Sequence, residues 1–159
     1  MALATESASI VARRLQMHPA MGPDTRLLFA AFMKSWAANH GNGDLQLVPY
    51  TGVNADDSTG EDLGIDAAHR VYAFWGKKTA TAEDVYLYCF DDATDDAGAG
   101  TDGRCNIVLL ESANEAVALY PSGIPMSAGL VVKAYTDFDG TTDSTAGAVG
   151  NGFVLIGLP

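Results

Sequence analysis

Positive charge is scarce in this sequence of 159 residues. Nine lysines and arginines stand against twenty aspartates and glutamates, which gives a formal net charge of −11 at pH 7. Nucleic-acid phosphates and anionic membrane surfaces repel such a chain at long range, so we expect neither as a partner. Long apolar segments are also missing. The longest uninterrupted apolar run, Leu27 to Met33, is far shorter than the roughly 20 residues of a membrane-spanning helix.

Cysteine is the next scarce residue. Cys89 and Cys105 are the only two, too few for a framework of disulfides. Glu6 precedes any basic residue and no apolar region follows, so we expect no secretory signal. The pair is therefore predicted to be buried free thiols on neighbouring strands, although a bond between those strands is geometrically conceivable. No spacing of Cys and His suggests zinc.

The first 41 residues differ from the rest in charge. Residues 1–40 carry a net charge of +2, whereas the remaining 119 residues sum to −13. We therefore divide the chain into an N-terminal arm, residues 1–41, and a body, residues 42–159. The arm contains an amphipathic helix predicted over about residues 24–39, with Asp24 as its cap. Its apolar face carries Leu28, Phe32 and Trp36 and either docks on a partner or packs on the body.

The body shows strand-like patterning. Within the arm, a weaker helical stretch or extended tail, about Thr5 to Met17, comes before the predicted helix. Beyond Gly41, short runs rich in Val, Ile, Leu, Tyr and Phe alternate with Gly, Asp, Asn and Thr. The pattern predicts a mainly β fold, an antiparallel β-sandwich or jelly-roll-like barrel, with acidic loops at 51–66, 91–103 and 137–152. The predicted strands are Leu45–Tyr50, His69–Trp75, Asp84–Phe90, Asn106–Leu110, Ala116–Tyr120, Gly129–Tyr135 and Phe153–Leu158.

Two strands are apolar on both of their faces. Val71, Ala73 and Trp75 alternate with Tyr72 and Phe74 in the first of them. The stretch 85–90 has the same character. Such a strand must be covered on both sides, so we expect each to lie centrally in a sheet or under a partner.

Two motifs imitate enzyme sites. Residues 98–103 match the letters G-x-G-x-x-G, but a strand rather than a helix is predicted to follow, so they do not fit a dinucleotide fingerprint. Residues 125–129 approximate a nucleophile elbow around Ser127, yet Pro125 replaces the first glycine and a strand follows here too. The histidines His18, His40 and His69 are isolated in sequence. We therefore predict no catalytic residues and no enzyme activity.

A calcium site is the only cofactor that the sequence suggests. Asp137, Asp139 and Asp143 alternate with other residues around Gly140, and a loop of this kind can supply several oxygens to a hard cation. The positions of glycine and glutamate in the helix–loop–helix calcium motif are not matched. Solvated turns explain the same residues, because turns favour Asp, Gly and Thr.

A series of short segments recurs in a recognisable order along residues 70–142. A strand ending in Asp91, a Gly-Thr-Asp loop, a Pro-x-Gly-Ile turn and a Ser-x-Gly-Leu strand follow one another. This order resembles small β-sandwich structural proteins of tailed bacteriophages, found as capsid decoration, head-fibre or neck proteins. The segments are Arg70–Phe74, Val85–Asp91, Gly100–Asp102, Asn106–Leu110, Tyr120–Ile124, Ser127–Ala134 and Asp139–Thr142.

The resemblance implies a virion structural protein without catalytic residues, bound as a decoration protein to the major capsid protein of the same virus. It also implies a homo-oligomer, a dimer or trimer. The less acidic arm is the predicted docking surface, through Arg13, Arg14, Leu28, Phe32 and Trp36. Two alternatives stay open: a neck or fibre component, and a secreted carbohydrate-binding sandwich in which exposed Trp75, Tyr86, Tyr88 and Tyr135 stack on sugars.

Overall fold

The architecture is described from a computed structural model of the chain. It describes residues 3–50, 61–78, 84–93, 103–109, 114–136 and 149–159. The elements in chain order are β1 (Glu6–Ser7), α1 (Ala8–Gln16), α2 (Pro23–His40), β2 (Asp44–Tyr50), β3 (Glu61–Asp62), β4 (His69–Lys78), β5 (Val85–Phe90), β6 (Gly103–Leu109), β7 (Glu115–Met126), β8 (Val131–Tyr135) and β9 (Val149–Gly157).

The described strands form two antiparallel sheets. The five-stranded sheet has the order β1-β2-β9-β4-β7, and the four-stranded sheet has the order β3-β8-β5-β6. Apolar residues of both sheets meet in one core cluster, including Phe74 and Val154 from the first sheet and Leu87 and Val132 from the second. The predicted mainly β sandwich is thus confirmed. The two sheets stay separate, so the barrel alternative is not the one observed.

The two-sided apolar strands are central, as expected. β4 lies between β9 and β7, and β5 lies between β8 and β6. On β4, Val71 and Phe74 face the other sheet, whereas Tyr72, Ala73 and Trp75 face the opposite side. A register shift between Val71 and Ala73 interrupts the simple alternation of the strand, so the adjacent residues Tyr72 and Ala73 face the same side.

The helices cover the outer face of the five-stranded sheet. Val11 and Leu15 of α1, together with Phe29 of α2, join Trp75 and Phe153 in a second core cluster. The Phe29 and Phe153 rings lie 5.4 Å apart, and Trp75 stacks on Phe153 at 5.2 Å. The segment predicted as an arm therefore shares a core with the sheet.

Helix α2 begins and ends one residue outside its predicted range of 24–39. Pro23 occupies the first turn, where its fixed φ suits a helix, and Gly22 is the N-cap residue. Asp24 lies in the first turn and does not cap the helix by a side-chain hydrogen bond, contrary to the prediction. Both carboxylate oxygens of Glu115 accept from the Gly22 N–H at 3.2 Å. Gly41, at φ +71°, ends the helix.

Several boundaries differ from the predicted ones. The weaker helical stretch is helix α1, preceded by the two-residue strand β1. Strand β3 and the start of β9 fall inside segments predicted as loops. Strand β7 runs on through the predicted Pro-x-Gly-Ile turn. Ala73 of β4 pairs with Leu119, but Val71 pairs with Ile124, so the β7 residues between Leu119 and Ile124 form a bulge. Gly123 adopts φ +72° within this bulge.

Candidate functional site

A groove of about 440 Å³ runs between α1 and α2 on the outer surface of the helical layer. Small side chains open it, because alanines on both helices leave room that larger residues would fill. Its apolar floor consists of Ala8, Ala12, Ala30, Met33 and Ala37. We call this feature the interhelical groove.

Cationic and amide side chains form the rim of the interhelical groove. Arg13 and Gln16 lie on the α1 side, and Lys34 lies on the α2 side. Arg14 is engaged elsewhere: its Nη2 atom forms an ion pair of 2.7 Å with Glu6 Oε1. Of the two predicted arginine contacts, only Arg13 therefore borders the groove.

The predicted apolar stripe does not lie on one face. Phe32 and Trp36 are only 7% and 5% exposed and belong to the core beneath the helices. Leu28 is 50% exposed and lies on the surface. Phe32 and Trp36 are thus corrected from surface anchors to core residues, because a strict four-residue spacing drifts around a helix of 3.6 residues per turn.

Exposed apolar side chains concentrate on the helical layer. Ile10 and Met17 lie on the α1 side, and Leu27 and Leu28 lie on α2. Leu27 is 70% exposed and stands seven residues, about two helical turns, before Lys34 of the groove rim. Apolar surface next to isolated cations is typical of a protein–protein contact.

A second polar feature connects the two sheets at Asp91, immediately after β5. Its carboxylate accepts the backbone N–H groups of Ser127 at 2.8 Å and Ala128 at 2.7 Å, and that of Gly129 at 3.3 Å. The Ser127 hydroxyl also donates to it at 3.0 Å. A Cβ on Gly129 would collide with the carbonyl oxygens of Asp92 and Ile65, so this position needs glycine. We call this set of hydrogen bonds the Asp91 clamp.

Ser127, the serine of the approximate nucleophile elbow at residues 125–129, belongs to the Asp91 clamp. The Ser127 hydroxyl donates a hydrogen bond to a carboxylate, whereas the nucleophile of a serine hydrolase donates to an imidazole. The segment after Ser127 leads into β8, as the sequence predicted. Burial alone would raise the pKa of the Asp91 carboxyl. The hydrogen bonds from Ala128, Ser127 and Gly129 outweigh burial and hold the pKa below its ordinary value.

His69 lies beside the clamp, at the start of β4. Its ring is fully buried, and Nδ1 lies 2.8 Å from the Ala67 carbonyl oxygen. Burial lowers the pKa of His69, while the bond to Ala67 and the negative charge of Asp91 partly oppose that shift. The folded chain therefore favours the neutral form of this ring more than the unfolded chain does. His18, which is partly buried, also has a lowered pKa, from burial and then from Arg26.

The aromatic residues of the sugar-binding alternative are not an exposed set. Trp75 and Tyr135 are buried, and the Trp75 Nε1 donates to Glu115 at 3.0 Å under the helices. Tyr86 and Tyr88 are half-buried on the outer face of the four-stranded sheet. The expectation that Trp75 and Tyr135 are exposed and stack on sugars is therefore wrong.

The remaining motifs lie partly outside the described residues. Asp137, Asp139 and Asp143, the calcium candidates, are not among the described residues, and neither is most of the G-x-G-x-x-G stretch. Gly103, its last residue, begins strand β6, which agrees with the prediction that a strand follows. Across the part of the chain that the structure describes, no three His, Cys, Asp or Glu side chains gather as a metal site.

The described helices also bear on the membrane question. Neither one is long and apolar enough to cross a bilayer.

Comparison with known proteins gives no match. No protein-family model, no curated protein and no solved structure matches the chain.

Proposed function

We propose that this chain is a virion structural protein that decorates the outer surface of a phage head, bound to the major capsid protein of the same virus. The interhelical groove is the observation that carries the proposal. It supplies apolar contact area on the helical layer, in a chain whose residues 41–159 carry a net charge of −13. The resemblance of residues 70–142 to phage β-sandwich proteins supplies the class of assembly.

The occupant of the groove is a segment of the capsid protein with apolar side chains and flanking carboxylates. The alanines and Met33 of the floor accept apolar side chains. Arg13 and Lys34 on the rim attract carboxylates and repel cations. Arg13 is exposed and has no ion pair among the described residues, so it is available to an acidic partner.

Copies of the chain repel one another through their net charge of −11, which favours solubility before assembly. The acidic body would then face solvent while the less acidic helical layer meets the shell. A neck or fibre component would use the same groove on a different partner. Copy number separates these roles, because a decoration protein is present once per capsid subunit or at a simple fraction of that number.

The test compares two neighbouring alanines of α2. Both are exposed, but Ala37 lines the interhelical groove and Ala38 lies outside it. Head shells assembled from the major capsid protein of the same genome are sedimented with the wild-type chain, Ala37→Trp or Ala38→Trp. We expect Ala37→Trp to weaken binding at least tenfold, because its indole occupies the groove, and Ala38→Trp to bind like the wild type.

Thermal melting of both variants controls for folding. Equal binding by the two variants would reject the groove as the docking surface. A wild-type chain that fails to bind the shells, and is absent from purified particles by quantitative mass spectrometry, would reject the virion assignment itself. A handful of copies per particle would instead identify a neck or fibre component.

A further inference from the structure

The two cysteines face each other across neighbouring strands. Cys89 of β5 pairs directly with Cys105 of β6, and both are buried free thiols. Both side chains belong to the core between the sheets, so they point to the same side. Residues directly opposite in an antiparallel pair have Cα atoms about 4.5–5.5 Å apart, inside the range of about 4.4–6.8 Å that disulfides span.

A third polar group adjoins the pair from the other sheet. Tyr120 of β7 is half-buried, and burial raises the pKa of its hydroxyl, as do the neighbouring Cys105 and Cys89. Burial also raises the pKa of the Cys89 thiol, and the hydrogen bond with Cys105 adds to that effect. Both groups therefore stay protonated at neutral pH, and the pair is slow to react while the strands are closed.

We propose that Cys89 and Cys105 are a redox site, which a small-molecule disulfide such as oxidised glutathione converts to a disulfide between β5 and β6. This inference is independent of the proposed function. Cys105 reacts first, because it is slightly exposed and its strand lies at the edge of the four-stranded sheet. Opening of that edge exposes the thiol to the oxidant.

The exchange proceeds in two steps. The Cys105 thiolate attacks one sulfur of the oxidant, breaks its S–S bond and releases one glutathione thiolate. The Cys89 thiolate then attacks the Cys105 sulfur of the mixed disulfide, forms the Cys89–Cys105 bond and releases the second glutathione. The two cysteines give up two electrons to the oxidant, and their two protons end on the two glutathione thiols.

The bond would restrict the unfolded chain more than the folded one. Fifteen residues separate Cys89 from Cys105, so the bond closes a loop of moderate length. The folded strands already hold the two residues opposite each other, so little rearrangement is needed. For a loop and a domain of these sizes, the oxidised chain should melt roughly 6–12 °C above the reduced chain.

The experiment uses the full chain and oxidised glutathione. One sample is incubated folded, and a second is unfolded in urea and refolded with the oxidant, which exposes both thiols. Intact mass and peptide mapping detect the Cys89–Cys105 bond, and melting is followed with and without a reductant. Cys105→Ala is the matched control, expected to form no intrachain bond and to show no melting shift of this size.

An intrachain bond in the refolded sample, with the expected rise in melting temperature, supports the redox site. Formation in the folded sample as well shows that the edge opens in the native state. Persistent thiols, glutathione adducts alone, or bonds between chains would overturn the proposal. An intrachain bond that lowers the melting temperature would also overturn it, because the strands would then not hold the sulfurs in bonding geometry.

Discussion

Replacing Asp91 by asparagine tests the clamp that joins the ends of β5 and β7. The carboxylate accepts three backbone N–H groups and one hydroxyl. An amide keeps one acceptor oxygen and turns its own N–H₂ group toward donors. Hydrogen bonds to a charged group contribute about 1.5–3 kcal/mol, and the exposure of Ser127 and Ala128 lets water replace part of that. We therefore expect Asp91→Asn to lower the free energy of unfolding by about 2 kcal/mol.

Urea unfolding and thermal melting both measure this change. A loss of about 2 kcal/mol corresponds to a fall in melting temperature of roughly 4–8 °C for a domain of this size. Asp44→Asn is the matched control, because Asp44 is exposed at the start of β2. We expect it to shift the free energy by less than about 0.5 kcal/mol. Equal effects of the two substitutions would refute the reasoning.

The dependence on pH gives a second check of the same clamp. The pKa of Asp91 is lowered in the folded chain, so its contribution is complete above the ordinary aspartate pKa of about 3.9. It is lost as the pH falls through the lower folded value. The stability difference between the wild type and Asp91→Asn should therefore be constant between pH 5 and 7 and shrink below about pH 4.

Two further predictions concern the buried groups. Because the pKa of His69 is lowered in the folded chain, the unfolded chain binds more protons, and stability should fall as the pH drops below about 6.5; His69→Asn should flatten this fall between pH 7 and 5 in urea titrations, and an unchanged slope would exclude His69 as its source. Phe32→Ala should cost about 3–5 kcal/mol and Leu28→Ala less than about 0.5 kcal/mol, because only Phe32 is buried. Similar melting temperatures for these two variants would contradict the packing of α2 on the sheet.

The principal strands could be predicted from the sequence because their apolar residues are dense. The segments around Trp75 and Phe90 are apolar on both faces. The structure covers both faces at Trp75, whereas the outer face of β5 buries Phe90 and leaves Tyr86 and Tyr88 half-buried. β3 could not be found in this way, since Glu61 and Asp62 carry no apolar signal, although they pair with Val132 and Val131 of β8. The continuation of β7 through Pro121 was missed because proline and glycine are typical of turns, and here they form a bulge.

The sequence did not show which face of helix α2 is buried, for a different reason. Leu27, Leu28 and Phe29 are consecutive apolar residues, so more than one side of the helix could have been the buried one. Packing on the sheet selected the side of Phe29 and left both leucines exposed. The interhelical groove depends on two helices meeting, and alanines carry no pattern that predicts a cavity. Arg13, which borders the groove, was predicted as an interface residue from the charge of the arm.

The edges of the five-stranded sheet bear on how copies of this chain can associate. One edge is β1, which has two residues, and the other is β7, which is interrupted by its bulge and carries Pro121 and Pro125. Proline has no N–H to donate, and a bulge bends the strand away from a straight neighbour. The β7 edge is therefore a poor template for a strand from another molecule. Copies that meet at this edge would associate through side-chain surfaces rather than by extending the sheet there.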